Sequence, residues 1–153
     1  MKKLIAILLL LAGVAGTGFL AVNGDIPGLE IGTDQRALKQ KSLRFMECLK
    51  FKEFREAAAF HHPTDLKERP DIPKMLEDFF LVPPENLDVR EVRVDFIELD
   101  STKMRAKVKV TSTIHILNKK ETRDPEAMLY WRRVDGQWFL DLRTTLERGR
   151  NVL

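Results

Sequence analysis

The side chains of this chain that could do chemistry are few and far apart. His61 and His62 stand together just before Pro63, with Asp65 close behind, and imidazoles with a carboxylate are the donors a zinc-like ion takes. Neighbouring side chains diverge, however, and no third strong ligand lies at helical spacing. The ordinary reading is a solvated helix end, where histidine also suits the helix dipole. Cys48 is the only cysteine, so no intramolecular disulfide can form. Its place among Phe45, Met46 and Leu49 predicts a small buried residue rather than a reactive thiol. Arg105, Lys107 and Lys109 recur at every second position and form a basic row. A polyanion would use such a row only with exposed aromatics for stacking. Anionic lipid headgroups are the better match beside a membrane, and a solvated sheet face is the default. There is no Walker loop, GxGxxG, GxSxG, HExxH or paired CxxC, and no cofactor or metal is expected. The formal net charge is +3, and it falls to +1 without Lys2 and Lys3, which gives no argument for nucleic acid.

The elements that must position these groups change character midway. Thr33 or Asp34 can cap a helix that runs through Leu38, Phe45 and Leu49. Lys50-Phe51-Lys52 interrupts it, leaving a shorter helix from Glu53 to Phe60 that His61-His62-Pro63 stops. A third helix is predicted from Asp71 to Phe80, with Pro73 in its first turn and Met75, Leu76, Phe79 and Phe80 as its apolar stripe; Val82-Pro83-Pro84 ends it. Beyond residue 88 the period becomes two. Val92, Val94 and Phe96 alternate with polar neighbours, and Met104 to Leu117 reads as one long half-buried strand. A three-residue turn at Asp100-Ser101-Thr102 would pair Leu99 with Lys103, Phe96 with Ala106 and Val94 with Val108. It would also set Asp95 opposite Lys107 as an exposed ion pair. Asp135-Gly136 is the strongest local signal, a two-residue hairpin. It predicts Arg133 opposite Trp138, Trp131 opposite Leu140, Leu129 opposite Leu142, Tyr130 opposite Asp141 and Arg132 opposite Phe139. The fold class is therefore α+β: about three N-terminal helices packed on a curved, mostly antiparallel sheet of four or more strands.

Helices first and a long-stranded sheet after, closing on Tyr130-Trp131-Arg132-Arg133-Val134-Asp135-Gly136-Gln137-Trp138-Phe139-Leu140-Asp141, resemble the NTF2-like (cystatin-like) superfamily. The helical stretch Phe45 to Phe60 and the lead Pro83-Pro84-Glu85-Asn86-Leu87 are similar to it too, so the resemblance spans roughly residues 34–144. It implies a sheet that curls around the helices into a cone, either filled or open as a pocket. Phe96, Glu98, Trp131 and Trp138 are the expected lining of such a pocket. Some enzymes of this superfamily use an acid or histidine inside the cone, which directs attention to Asp95, Glu98, Asp141, His115 and Tyr130. Strand parity puts Asp95 and His115 on the polar face and leaves Glu98 as the one acid aimed inward.

The N-terminus supplies the context. Met1-Lys2-Lys3 precedes an uncharged, apolar run from Leu4 to Val22, long enough at 1.5 Å per residue to cross a bilayer core. Two readings stand: a cleaved leader, with small residues suited to cleavage after Ala15, or a permanent anchor. The apolar character continuing to Val22 favours the anchor, and Val14 in place of a cysteine excludes a lipoprotein attachment. Lys2 and Lys3 stay in the cytoplasm in either case, and the rest is exported, to the periplasmic side in a bacterium. The expected organisation is a signal or anchor at 1–22, a Gly/Pro linker at 23–33, the α+β domain at 34–147 and a tail at 148–153. The expected function is a tethered, non-catalytic interaction or assembly module of the cell envelope, its partner an envelope protein or another copy. A carrier or sensor of an apolar small molecule or lipid in the cone pocket is the alternative, and a small hydratase- or isomerase-like enzyme acting through Glu98 the second.

Overall fold

A computed structural model describes residues 30–78 and 83–149. The expected leader or anchor, most of the linker, the end of the tail and the Phe79–Val82 segment lie outside the described residues. The chain divides into Met1–Ala37 and Leu38–Leu153. Among the described residues no helix is long and apolar enough to cross a membrane.

The long helix α1, Glu30–Lys50, crosses the boundary between these units and is already helical at Glu30, ahead of the expected cap. In the second unit Leu38, Ser42, Phe45 and Cys48 follow one another at helical spacing. All four are buried, at 0%, 0%, 2% and 1% exposure. Lys52 ends the helix in the left-handed region at φ 63°, a conformation that costs a side-chain-bearing residue about 1 kcal/mol. The turn is closed by Glu53 N donating to Cys48 O at 2.8 Å, which satisfies a carbonyl the helix leaves open. Helix α2 follows at Phe54–Ala58, with Ala57 and Ala58 buried. Helix α3, Pro63–Glu68, was not expected: His62 caps it by accepting from Thr64 N, and Pro63 begins it. Helix α4, Ile72–Asp78, buries Ile72 and Leu76 and corresponds to the predicted third helix.

A short 3-10 turn, Pro84–Asn86, leads into the sheet. Its strands are β1 Leu87–Leu99, β2 Arg105–Ile116, β3 Glu121–Arg123, β4 Glu126–Val134 and β5 Gln137–Leu140. The order is β1-β2-β4-β5, with β3 paired to the end of β2, and every pairing is antiparallel. The sheet curls into a half-barrel, so the α+β architecture predicted from the sequence holds.

The hairpin at Asp135-Gly136 forms with φ 49° and 77°, and the Arg133–Trp138, Trp131–Leu140 and Arg132–Phe139 pairs are all present. Beyond Leu140 the strand stops. Asp141 N still donates to Tyr130 O at 2.7 Å, but helix α5, Leu142–Gly149, starts there and replaces the expected Leu129–Leu142 pair.

The β1–β2 register differs from expectation. Asp100 N donates to Arg105 O at 2.9 Å, so the connection is the even-length Ser101–Met104 rather than a three-residue turn. The Asp100 carboxylate holds it by accepting from Thr102 Oγ1 at 2.8 Å, Met104 N at 3.0 Å and Arg105 N at 3.2 Å. Leu99 therefore faces Ala106, and Ile97 faces Val108. Two register shifts, between Val89 and Glu91 and between Val94 and Phe96, each insert an extra residue and reverse the alternation. The inward row of β1 becomes Leu87, Val89, Val92, Val94, Ile97 and Leu99. Asp95, the extra residue of the second bulge, accepts from Thr111 Oγ1 at 2.5 Å and Arg93 Nε at 3.0 Å. It does not face Lys107 as predicted.

Candidate functional site

The second bulge decides the fate of the expected pocket. Phe96, predicted to point inward, is turned to the outer face and is 41% exposed. Glu98 lies on that face too, paired with Lys107 at 2.9 Å. Trp131 and Trp138 do point inward, at 1% and 3% exposure, but as packing. The Phe60 ring stands edge-on to Trp131 at 6.4 Å and to Phe45 at 5.8 Å, and the Arg133 guanidinium lies 5.8 Å from the Trp138 ring centre. The four residues named from the sequence therefore fall into two pairs on opposite faces of the sheet. A straight alternation through Val94, Asp95 and Phe96 cannot reveal the extra residue, which is fixed from the next strand by Thr111.

The remaining candidates are each engaged singly. Asp141 caps α5, accepting from Thr144 N at 3.1 Å and Thr144 Oγ1 at 2.7 Å. His115 meets Thr122 Oγ1 at 3.1 Å. Tyr130 gives its backbone N–H to Thr145 Oγ1 at 3.1 Å. In the basic row, Lys107 pairs with Glu98 and Lys109 with Glu126 at 2.8 Å. Alternating ion pairs of this kind mark a solvated face, as the default reading had it, and each contributes at most about 1 kcal/mol.

The histidine pair is arranged differently from the expected solvated end. His61 is only 2% exposed. Its Nδ1 lies 2.8 Å from Ala58 O, and because a carbonyl only accepts, Nδ1 carries the proton. Nε2 is then a bare acceptor, buried with no partner among the described residues. Burial pushes the imidazole below its ordinary value of 6.5, against the opposing pull of the Ala58 carbonyl, Asp65 and Asp141. The ring is held there because Phe60 O accepts from Leu140 N at 2.8 Å, which fastens the end of α2 to the free edge of β5. The His62 ring stands edge-on to Phe139 at 4.9 Å. Asp65 does not join the histidines; both of its oxygens accept from Arg132 Nη2, at 2.7 and 2.6 Å.

One cluster was not singled out in the sequence. A ligand atom each of Cys48, Glu53 and Glu56 lies within 4.8 Å of the others. Cys48 closes the buried face of α1, while Glu53 holds the cap position of α2 and Glu56 lies in its first turn. Burial raises the Cys48 thiol above its ordinary value, and the neighbouring Glu56 carboxyl raises Glu53. Beside them runs an open groove of about 420 Å³, lined by residues 52–56 together with Pro73, Lys74 and Glu77. The signal available in the sequence was the spacing of Glu53 and Glu56, which share a helix face; the return of the chain toward Cys48 depends on the left-handed Lys52.

No protein-family model matches the chain, and no curated protein is similar to it. Among solved structures, the intermembrane-space region of the chloroplast protein ARC6 is similar at a TM-score of 0.35 and 12% identity, over 69% of this chain and 91% of that one.

Proposed function

We propose that this chain is a non-catalytic interaction module of NTF2-like build, carried to the far side of a membrane by its N-terminal apolar segment. The supporting observation is the filled interior. Trp131, Trp138, Phe45 and Phe60 occupy the space that an apolar ligand or a substrate would need, with Phe60 edge-on to both Phe45 and Trp131. The carboxylates that could act as general acids or bases serve other ends. Asp141 caps a helix, Asp65 holds Arg132, and Glu98 is paired with Lys107 on the outer face. A general acid or base must reach the proton it moves, and these carboxylates are spent on their neighbours.

Function then resides in the outside of the domain and in its tether. Lys2 and Lys3 ahead of residues 4–22 set the topology, with the domain exported, and the partner is an envelope protein or a second copy. Site-specific photo-crosslinking of the full-length chain in its native membrane tests this, with probes placed at exposed positions such as Phe96, Met104 and Leu117. A discrete crosslinked protein or homodimer is expected from at least one position. A chain that is monomeric in the membrane and captures no protein from any of them refutes the proposal. Protease added from the exported side should digest the domain and leave the N-terminal lysines protected; the reverse pattern overturns the topology.

A further inference from the structure

We propose that Cys48, Glu53 and Glu56 together bind a thiophilic divalent cation of the zinc class. A thiolate with two carboxylates is a donor set that zinc accepts, and a water completes the tetrahedron in sites with three protein ligands. The three ligand atoms already lie within 4.8 Å of one another, and the two glutamate side chains can rotate the remaining distance. The fold brings them together through one turn: Lys52 at φ 63° reverses the chain, and the Glu53 N to Cys48 O bond of 2.8 Å fixes Glu53 over the end of α1.

Two surface acids alone would be an ordinary solvated pair. Two features set this pair apart. Glu53 occupies the cap position of α2, yet its side chain makes no capping bond. It lies against Glu56 instead, with a carboxylate oxygen of each within 4.8 Å of the other and of the Cys48 sulfur. Beneath the pair sits the Cys48 sulfur, at 1% exposure. The thiol is in no disulfide and makes no hydrogen bond among the described residues. It is thus a buried, uncommitted donor aimed at two carboxyls that gain by sharing a positive charge. The groove of about 420 Å³ reaches Glu53 and Glu56 from solvent and supplies an entry path and room for the water. Among the cations on its walls, Lys74 is committed to Glu77 at 3.3 Å and Asp78 at 2.7 Å. Arg44, whose charge also reaches the thiol, is held by Glu47 at 2.6 Å.

Binding exchanges a proton for the metal. The S–H bond breaks, the sulfur keeps the electron pair and donates it to the cation, and the proton leaves to solvent. Because a thiol must give up its proton to bind, apparent affinity rises with pH.

Cobalt(II) is the probe, added to the reduced full-length chain in detergent while the thiolate-to-cobalt charge-transfer band in the near ultraviolet is followed, with zinc(II) then displacing it. A saturable 1:1 band is expected, abolished in Cys48→Ser and weakened in Glu53→Gln/Glu56→Gln. The glutamate pair should lose at least the ~10–100-fold in affinity typical of a residue that merely supports a ligand. Absence of the band refutes the site, as does a band that keeps its affinity in the double glutamine variant. If Cys48→Ser fails to fold, the glutamine variant, changed only at the groove wall, decides by itself.

Discussion

The buried histidine makes the sharpest prediction about the domain's stability. His61 carries its proton on Nδ1, given to Ala58 O at 2.8 Å, and its buried Nε2 has no partner among the described residues. Protonating Nε2 in the folded state would bury a charge and an N–H with nowhere to donate it, so the native imidazole titrates below the 6.5 of a free one. In the window between 6.5 and the depressed native value, the unfolded chain binds a proton that the native chain does not. Stability must then fall as pH falls, with a slope that approaches 1.4 kcal/mol per pH unit, or about one proton. Above 6.5 both states are neutral at this residue and the contribution is flat. His61→Asn isolates the effect, because the amide nitrogen can still donate to Ala58 O but cannot titrate. At pH 7.5 the variant should be less stable by about 1–3 kcal/mol, for the volume it leaves empty. Urea unfolding of the full-length chain at intervals from pH 7.5 to pH 5 is the assay, with His62 and His115 common to both proteins. The gap between wild type and variant should narrow as the pH drops. A gap that stays constant across the range would refute the argument, since it would mean that His61 picks up its proton as readily folded as unfolded.

Three further outcomes follow from the packing and the turns. Trp131→Ala, at a site 1% exposed, should cost about 3–5 kcal/mol, whereas Phe96→Ala on the outer face should stay within about 0.5 kcal/mol; equal losses in chemical denaturation would contradict the assigned strand phase. Asp141→Ala removes the acceptor for Thr144 N and Thr144 Oγ1 and should cost about 0.5–2 kcal/mol, with amide exchange accelerated first in α5. The Asp100 carboxyl is held below its ordinary 3.8, chiefly by the Thr102 hydroxyl. Its support of the β1–β2 turn is complete above that value and lost as pH falls through the native one. Exchange protection at Met104 and Arg105 should disappear in that acid window, and in Asp100→Ala at every pH.

Much of this molecule can be read from the sequence wherever the determining contacts are local. The Asp135-Gly136 turn needs two consecutive positive φ angles, which these residues tolerate, and the register of β4 on β5 follows from it. Cys48 is buried because helical spacing puts it in line with Phe45. Where the cause is distant, the sequence is silent. Val94-Asp95-Phe96-Ile97 offers two apolar residues for one inward position, and the choice is made by Thr111 on the next strand, which fixes Asp95 as the extra residue. With Phe96 and Glu98 moved to the outer face, half of the expected pocket moved with them. The burial of His61 likewise rests on Leu140 reaching Phe60 O from far along the chain. Helix α3 is only six residues long and buries none of them, so no apolar period could announce it; only His62 before Pro63 carried a trace, as a cap.

The two bulges of β1 carry a consequence for how this domain can meet its neighbours. β1 is an outer strand of the sheet, thirteen residues long, and a straight strand of that length would offer a row of free backbone groups to any passing chain. Each bulge breaks the spacing of that row and twists the strand locally. Lys50 Nζ, reaching across from α1, already takes the Arg90 carbonyl at 3.0 Å. What remains between the interruptions is too short to template a foreign strand. This edge of the domain is thus protected from pairing strand to strand, and recognition along it is left to side chains.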